Sequence, residues 1–98
     1  MANICDNTLK VVFNKKETCN SIKEWFNKNY SSAIIKYEDN ENLDITFESK
    51  WTFPVKEMDN LYDSITDKND INMTCLSVEW GNYYCTFHIC DENGWTTY

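Results

Sequence analysis

The sequence predicts an α+β domain, an antiparallel sheet with two helices on one face, and three observations carry that expectation. Several stretches alternate apolar and polar residues, the period of a half-buried strand, while two others space their apolar residues three and four apart, the period of a helix. The chain has 98 residues, 42% of them hydrophobic and 15% aromatic, enough for one modest core, so residues 1–98 form one domain.

The first stretch, Cys5 to Phe13, alternates Leu9, Val11 and Phe13 with Thr8, Lys10 and Val12 and predicts a strand. Asn14 and Glu17 then form an Asn-x-x-Glu start, and Cys19, Ile22, Trp25 and Phe26 follow at helical spacing, predicting a helix over 15–29. Two strands are expected at 33–38 and 43–48, joined by a hairpin loop of small polar residues, Asp39 to Asn42. In the second of them Leu43, Ile45 and Phe47 face the core, and Asp44, Thr46 and Glu48 face water. Pro54 sits where a first helical residue belongs, and Val55, Met58, Leu61, Tyr62 and Ile65 make the apolar stripe of a second helix ending near Lys68. Two further strands, 71–80 and 83–89, flank a tight turn at Gly81-Asn82. That turn sets Val78 opposite Cys85 and Leu76 opposite Phe87, with Leu76, Val78, Trp80, Tyr83, Cys85, Phe87 and Ile89 expected on the core side and Cys75, Glu79, Tyr84, His88 and Cys90 on the other. A turn at 91–94 precedes a short terminal piece, 95–98.

The order is β-α-β-β-α-β-β. Its first six elements spell the split βαβ, ferredoxin-like plan, β-α-β-β-α-β plus an extra C-terminal strand, with two helices on one face of an antiparallel sheet.

Charge is the best clue to function. Sixteen acidic residues face nine bases, all lysines, for a formal charge of −7. Between Lys36 and Lys50 lie Glu38, Asp39, Glu41, Asp44 and Glu48 with no base; a second run holds Glu57, Asp59, Asp63, Asp67 and Asp70; and no cation follows Lys68. Such a field repels nucleic acid and anionic membranes and steers the chain toward basic protein surfaces, with on-rates that fall as salt rises. On a second helix reaching Lys68, Asp59, Asp63 and Asp67 stack at i, i+4 and i+8. Their repeat of about 6 Å along the axis is near that of successive phosphates on one strand. Asp59, Asp63 and Asp67, with Glu38, Asp39 and Glu41 at the hairpin tip, are the candidate partner-binding residues; a solvated surface is the bland alternative.

Other chemistry is sparse. The five cysteines are odd in number and no pair has knuckle or redox-motif spacing, so reduced thiols are expected. Cys75, His88 and Cys90, expected on one sheet face, are the one ligand-like set and define a rival reading, a metal- or thiol-dependent regulator with a fourth ligand such as Cys5. Free cysteines more commonly serve as small hydrophobes, and no metal or other cofactor is expected. Both glycines fall at turns, leaving no phosphate loop, and no nucleophile–base pair is distinctive, so no catalytic residue is assigned and the chain is not expected to be an enzyme. Three of the four tryptophans are expected in the core, and Trp51 is expected to plug the end of the sheet, with an exposed anchor as the alternative. No window approaches a membrane span and the N-terminus lacks a secretory pattern, so a cytoplasmic protein without membrane contact is expected.

Met1-Ala2-Asn3-Ile4-Cys5-Asp6-Asn7-Thr8-Leu9 and Phe47-Glu48-Ser49-Lys50-Trp51-Thr52-Phe53-Pro54 resemble the YubB-type ferredoxin-like domain family. Its members begin Met-x-Asn-Trp-Cys-x-Asn-x-Leu and carry a Phe-Glu-Ser-x-Trp-x-x-Pro-like segment before a helix; here Ile4 replaces the usual tryptophan. The resemblance implies the split βαβ fold and a protein of phages or plasmids, and it supplies no catalytic residue. Small acidic proteins of mobile elements often inhibit host defence nucleases, anti-CRISPR proteins among them. The expected function is therefore a phage-type inhibitor acting in the host cytoplasm. It would bind a basic CRISPR-Cas effector or other nucleic-acid-handling protein, as a nucleic-acid mimic or simply by charge, without touching nucleic acid itself. The oligomeric state is left open.

Overall fold

The computed structural model describes residues 3–81 and 84–98. The elements are β1 (Ile4–Phe13), α1 (Lys16–Asn29), β2 (Ile34–Glu38), β3 (Asn42–Lys50), α2 (Val55–Ser64), a 3-10 turn (Lys68–Asp70), β4 (Ile71–Glu79), β5 (Tyr84–Asp91) and β6 (Gly94–Thr97). All six strands form one sheet in the order β2-β3-β1-β4-β5-β6, and every pairing is antiparallel.

This sheet corrects the expectation of a ferredoxin-like split βαβ domain with one added strand. Among the described residues there are six strands, and β4, β5 and β6 run on as a meander that extends the sheet far to one side of β1. The terminal piece is the reason. Gly94 takes φ +93°, a left-handed conformation that costs a glycine little, and the reversal it permits pairs Cys90 with Trp95 and Asp91 with Gly94. The turn expected at Gly81-Asn82 involves Asn82 and Tyr83, which lie outside the described residues.

Strand β1 lies in the interior of the sheet, paired on both edges, and its alternation turns one face into the core. Cys5, Asn7, Leu9, Val11 and Phe13 are all buried on one face. Its neighbours extend that face: Leu9 lies opposite Ile45 on β3 and Cys75 on β4, and Val11 lies opposite Leu43 and Met73. Both helices cover this inner face, α1 with Cys19, Ile22 and Phe26 and α2 with Met58 and Leu61, all in one buried cluster with the strands. Phe26 and Tyr30 pack on Phe47 with ring centroids 5.0 and 4.8 Å apart, which ties α1 to β3.

The start of α1 is held by a residue distant in sequence. Lys15 stands at the N-cap without a side-chain cap of its own. The buried Asp70 instead accepts hydrogen bonds from the backbone N–H groups of Asn14 (3.2 Å) and Lys15 (3.0 Å) and from the Thr18 hydroxyl (2.9 Å). Burial alone would raise the Asp70 pKa, but these bonds outweigh it and hold the carboxyl below its ordinary value. Its stabilising contribution is therefore present above the ordinary carboxylate pKa and lost as pH falls through the lower folded value, below about 4. Asp70→Ala should lower the thermal midpoint at pH 7 by about 4–8 °C, read by circular dichroism. An unchanged midpoint would show that α1 does not depend on this cap.

Helix α2 is shorter than its apolar stripe suggested. It ends at Ser64, because Ile65 turns to an extended conformation and buries its side chain in the core. The Lys68 ammonium then donates to the Ile65 carbonyl (2.9 Å) at that end.

The strands β4 and β5 hold the largest surprise. Their register is the expected one, Leu76 opposite Phe87 and Val78 opposite Cys85, but their faces are reversed. Met73, Cys75, Ser77 and Glu79 with His88 and Cys90 are buried, whereas Leu76, Phe87 and Cys85 face outward and Trp80 is 70% exposed. Register with β1 dictates this: Cys75 lies opposite the inner Leu9, so its neighbour Leu76 must lie opposite the outer Thr8. Trp25 and Trp95 pack against the core, but Trp51 is half exposed at φ +70°, so it does not plug the sheet end as expected.

Candidate functional site

Half of the six carboxylates singled out in the sequence are occupied by internal contacts. Glu38 accepts from Lys16 (2.8 Å) and Lys23 (2.9 Å), and these two lysines, Lys16 first, hold its pKa down to about 2. Asp39 folds its own hairpin: one oxygen accepts from the backbone N–H groups of Glu41 (2.8 Å) and Asn42 (2.7 Å), and the other accepts from the Tyr37 hydroxyl (2.7 Å). With the Glu41 N–H as the largest cause, its pKa also falls to about 2. Asp67 pairs with Lys15. Because α2 stops at Ser64, Asp67 does not continue the line of Asp59 and Asp63, and the three-carboxylate stack expected on one helix is corrected to two.

Asp59, Asp63 and Glu41 are exposed, and no lysine forms an ion pair with them among the described residues. The tertiary structure brings two more acids to the aspartate pair. The Tyr62 hydroxyl of α2 donates to the Glu92 carbonyl (3.1 Å), which docks the helix on the β5–β6 turn. Burial, followed by the negative field of acids that include Asp91, Asp63 and Glu92, raises the Tyr62 pKa. Cys90 is pushed up to about 12 by burial and then by Asp91 and Asp59. Asp59, Asp63, Asp91 and Glu92 thus lie close enough to Tyr62 or Cys90 for their charges to be felt there. The Lys68 ammonium lies 5.3 Å from the Tyr62 ring centre and donates to the Ile65 carbonyl (2.9 Å) and the Asp63 carbonyl (3.4 Å). The sequence places Asp91 and Glu92 in a turn and in the cation-free stretch after Lys68, but not among the candidate partner-binding residues. Their membership of the last stretch of chain, which contains acids and no cation, was the available signal.

The cysteine face has a different character. Cys75 and His88 are cross-strand partners on the inner face, but the His88 ring nitrogens lie 2.7 Å from the Thr86 hydroxyl and 2.9 Å from the Thr97 hydroxyl. Phe53 stacks on the imidazole with ring centres 3.6 Å apart. Burial pushes Cys75, like Cys90, up to about 12, disfavouring the thiolate that metal binding and nucleophilic attack require. Cys5, the proposed fourth ligand, donates weakly to Asn7 inside a buried polar network with Ser77 and Ser49. Among the described residues no three His, Cys, Asp or Glu side chains are grouped to hold a metal ion. The cluster reads as a packed, hydrogen-bonded interior.

Fold and site together define a small acidic α+β domain in which four carboxylates without an ion pair among the described residues, Asp59, Asp63, Asp91 and Glu92, lie where α2 meets the β5–β6 turn. The chain matches no family model, and no curated protein or solved structure is significantly similar to it. No helix among the described residues is long and apolar enough to cross a membrane.

Proposed function

We propose that the chain is a binding protein and not an enzyme: an anti-defence inhibitor of the anti-CRISPR type, carried by a mobile element and acting in the host cytoplasm. Its acidic face, Asp59, Asp63, Asp91 and Glu92, docks on a basic surface of a CRISPR-Cas effector or another nucleic-acid-handling defence protein. The observation that carries this reading is the asymmetry of charge. Lys10, Lys15, Lys16 and Lys23 pair with Asp44, Asp67 and Glu38, whereas the four carboxylates around Tyr62 come from two elements and have no ion pair among the described residues. Enzymes that hold phosphate backbones expose Lys- and Arg-rich channels, and a rigid carboxylate surface complements them. Asp59 and Asp63, one helical turn apart, retain the phosphate-like spacing that makes partial mimicry feasible. The YubB-type resemblance agrees with a mobile-element origin.

The test is a cleavage assay across purified CRISPR effectors. One effector is expected to lose activity at near-stoichiometric inhibitor, with an affinity that weakens as salt rises. The variant D59N/D63N/D91N/E92Q should bind that effector about 10- to 100-fold more weakly while keeping its circular dichroism spectrum. Equal inhibition by parent and variant would sink the assignment of this face, and no inhibition of any effector would sink the anti-CRISPR reading.

A further inference from the structure

The outward faces of β4 and β5 pose a problem that folding alone does not answer. The inner faces of these strands bury Ser77, Glu79 and His88, while the outer faces carry Leu76, Val78, Cys85, Phe87 and Ile89, away from both helices. Register makes the outer set contiguous: Leu76 lies opposite Phe87, Val78 opposite Cys85 and Thr74 opposite Ile89. Leu76 and Phe87 remain 42% and 40% exposed, so the chain presents apolar area where it adds little to stability. Beside this patch, on β1 and β3, Asp6 lies directly opposite Glu48, and Asp6 also lies opposite Val78 on β4. Like charges directly opposed across strands are destabilising, and among the described residues neither carboxylate has an ion pair. The two acids line a groove of about 400 Å³ with Thr8, Ile34 and Thr46.

We propose that this outer face is a second docking surface and that its occupant is a basic amphipathic helix of a partner protein, with an apolar stripe flanked on one side by lysine or arginine. Charge complementarity selects this occupant. An isologous pair of copies would set acidic surface against acidic surface, each copy carrying −7, and an anionic membrane would meet the same repulsion. The dimensions agree. Strands β1 and β5 are separated by two strand spacings, about 10 Å, which matches the diameter of a helix. A helix lying over Leu76 and Phe87 therefore reaches Asp6 and Glu48 with long basic side chains from its flank. Apolar burial supplies affinity and the acid pair sets orientation. The inference uses none of the residues around Tyr62 and stands whether or not a defence protein is the target there.

An 18-residue helical peptide of leucine and lysine, with a leucine–glutamate peptide as control, is the probe. It would be titrated into isotope-labelled protein and followed by amide chemical shifts. The expected result is a set of shifts centred on Thr8, Leu76, Val78 and Phe87, with none from the glutamate peptide. D6N/E48Q should weaken binding about tenfold while leaving the thermal midpoint unchanged or higher, and D59N/D63N/D91N/E92Q should leave binding largely unchanged. L76S/F87S should abolish the outer-face shifts. Shifts confined to α2 and the β5–β6 turn, or affinity indifferent to D6N/E48Q, would overturn the proposal. So would a self-associated species in sedimentation velocity that is disrupted by L76S/F87S, since it would assign the face to a second copy.

Discussion

Leu9→Ala is expected to destabilise the fold by about 3–5 kcal/mol, a large share of the stability of a domain this size. Leu9 is fully buried on β1 and faces Ile45 on one side and Cys75 on the other. Truncation opens a void where the inner sheet surface meets the helices, and strands paired on both flanks cannot close in to fill it. The thermal midpoint should fall by about 12–40 °C. Val12→Ala, on the same strand but on the exposed face, should change stability by no more than about 0.5 kcal/mol. Comparable losses at the two positions in urea titrations would refute the assignment of β1 faces.

Phe53→Ala should cost a similar amount, about 3–5 kcal/mol, and should also change how stability depends on pH. Phe53 is buried between the imidazole of His88, on which it stacks, and the edge of Trp95, whose ring centre is 5.2 Å away. Burial disfavours the imidazolium and places the His88 pKa below its ordinary value. The unfolded chain therefore takes up a proton at higher pH than the folded one. The contribution of neutral His88 is complete above the ordinary histidine pKa of about 6.5 and is lost as pH falls through the folded value. Urea titrations at pH 7.5 and 5.5 should show the parent losing stability over this interval and His88→Gln losing less. Phe53→Ala admits water to the ring and should return the His88 pKa toward its ordinary value, measurable by NMR. A parent whose stability is flat between these pH values would contradict a buried neutral imidazole.

The acidic face shows how far a linear reading reaches. Asp59 and Asp63 were legible because helical periodicity alone sets them one turn apart on an exposed surface. Asp67 was misassigned because the apolar stripe runs on through Ile65, and the stripe does not reveal that Ile65 leaves the helix to enter the core. Glu38 and Asp39 stand in the densest acidic run, yet their charges are met by Lys16 and Lys23 on α1 and by the amides of their own turn. Asp91 and Glu92 joined the face because α2 docks on the β5–β6 turn, through the hydrogen bonds from Tyr62 to the Glu92 carbonyl and from the Trp95 indole to the Met58 carbonyl.

Local pattern by itself determined the α+β class, the position of both helices and of the first five strands to within a few residues, the inner face of β1 and β3, and the β4–β5 register. These follow from nearest-neighbour geometry, since the alternation of a strand and the periodicity of a helix are written in consecutive residues. Tertiary structure alone decided the six-strand order, the face that β4 and β5 turn inward, the capping of α1 by Asp70 and the place where uncompensated charge collects. On β4 both faces carry apolar side chains, Met73 and Cys75 on one and Leu76 and Val78 on the other, so alternation could not choose between them. The choice fell to register with β1: pairing Cys75 with Leu9 turns every second residue of β4 toward the helices, and the strand's remaining apolar side chains are left facing outward.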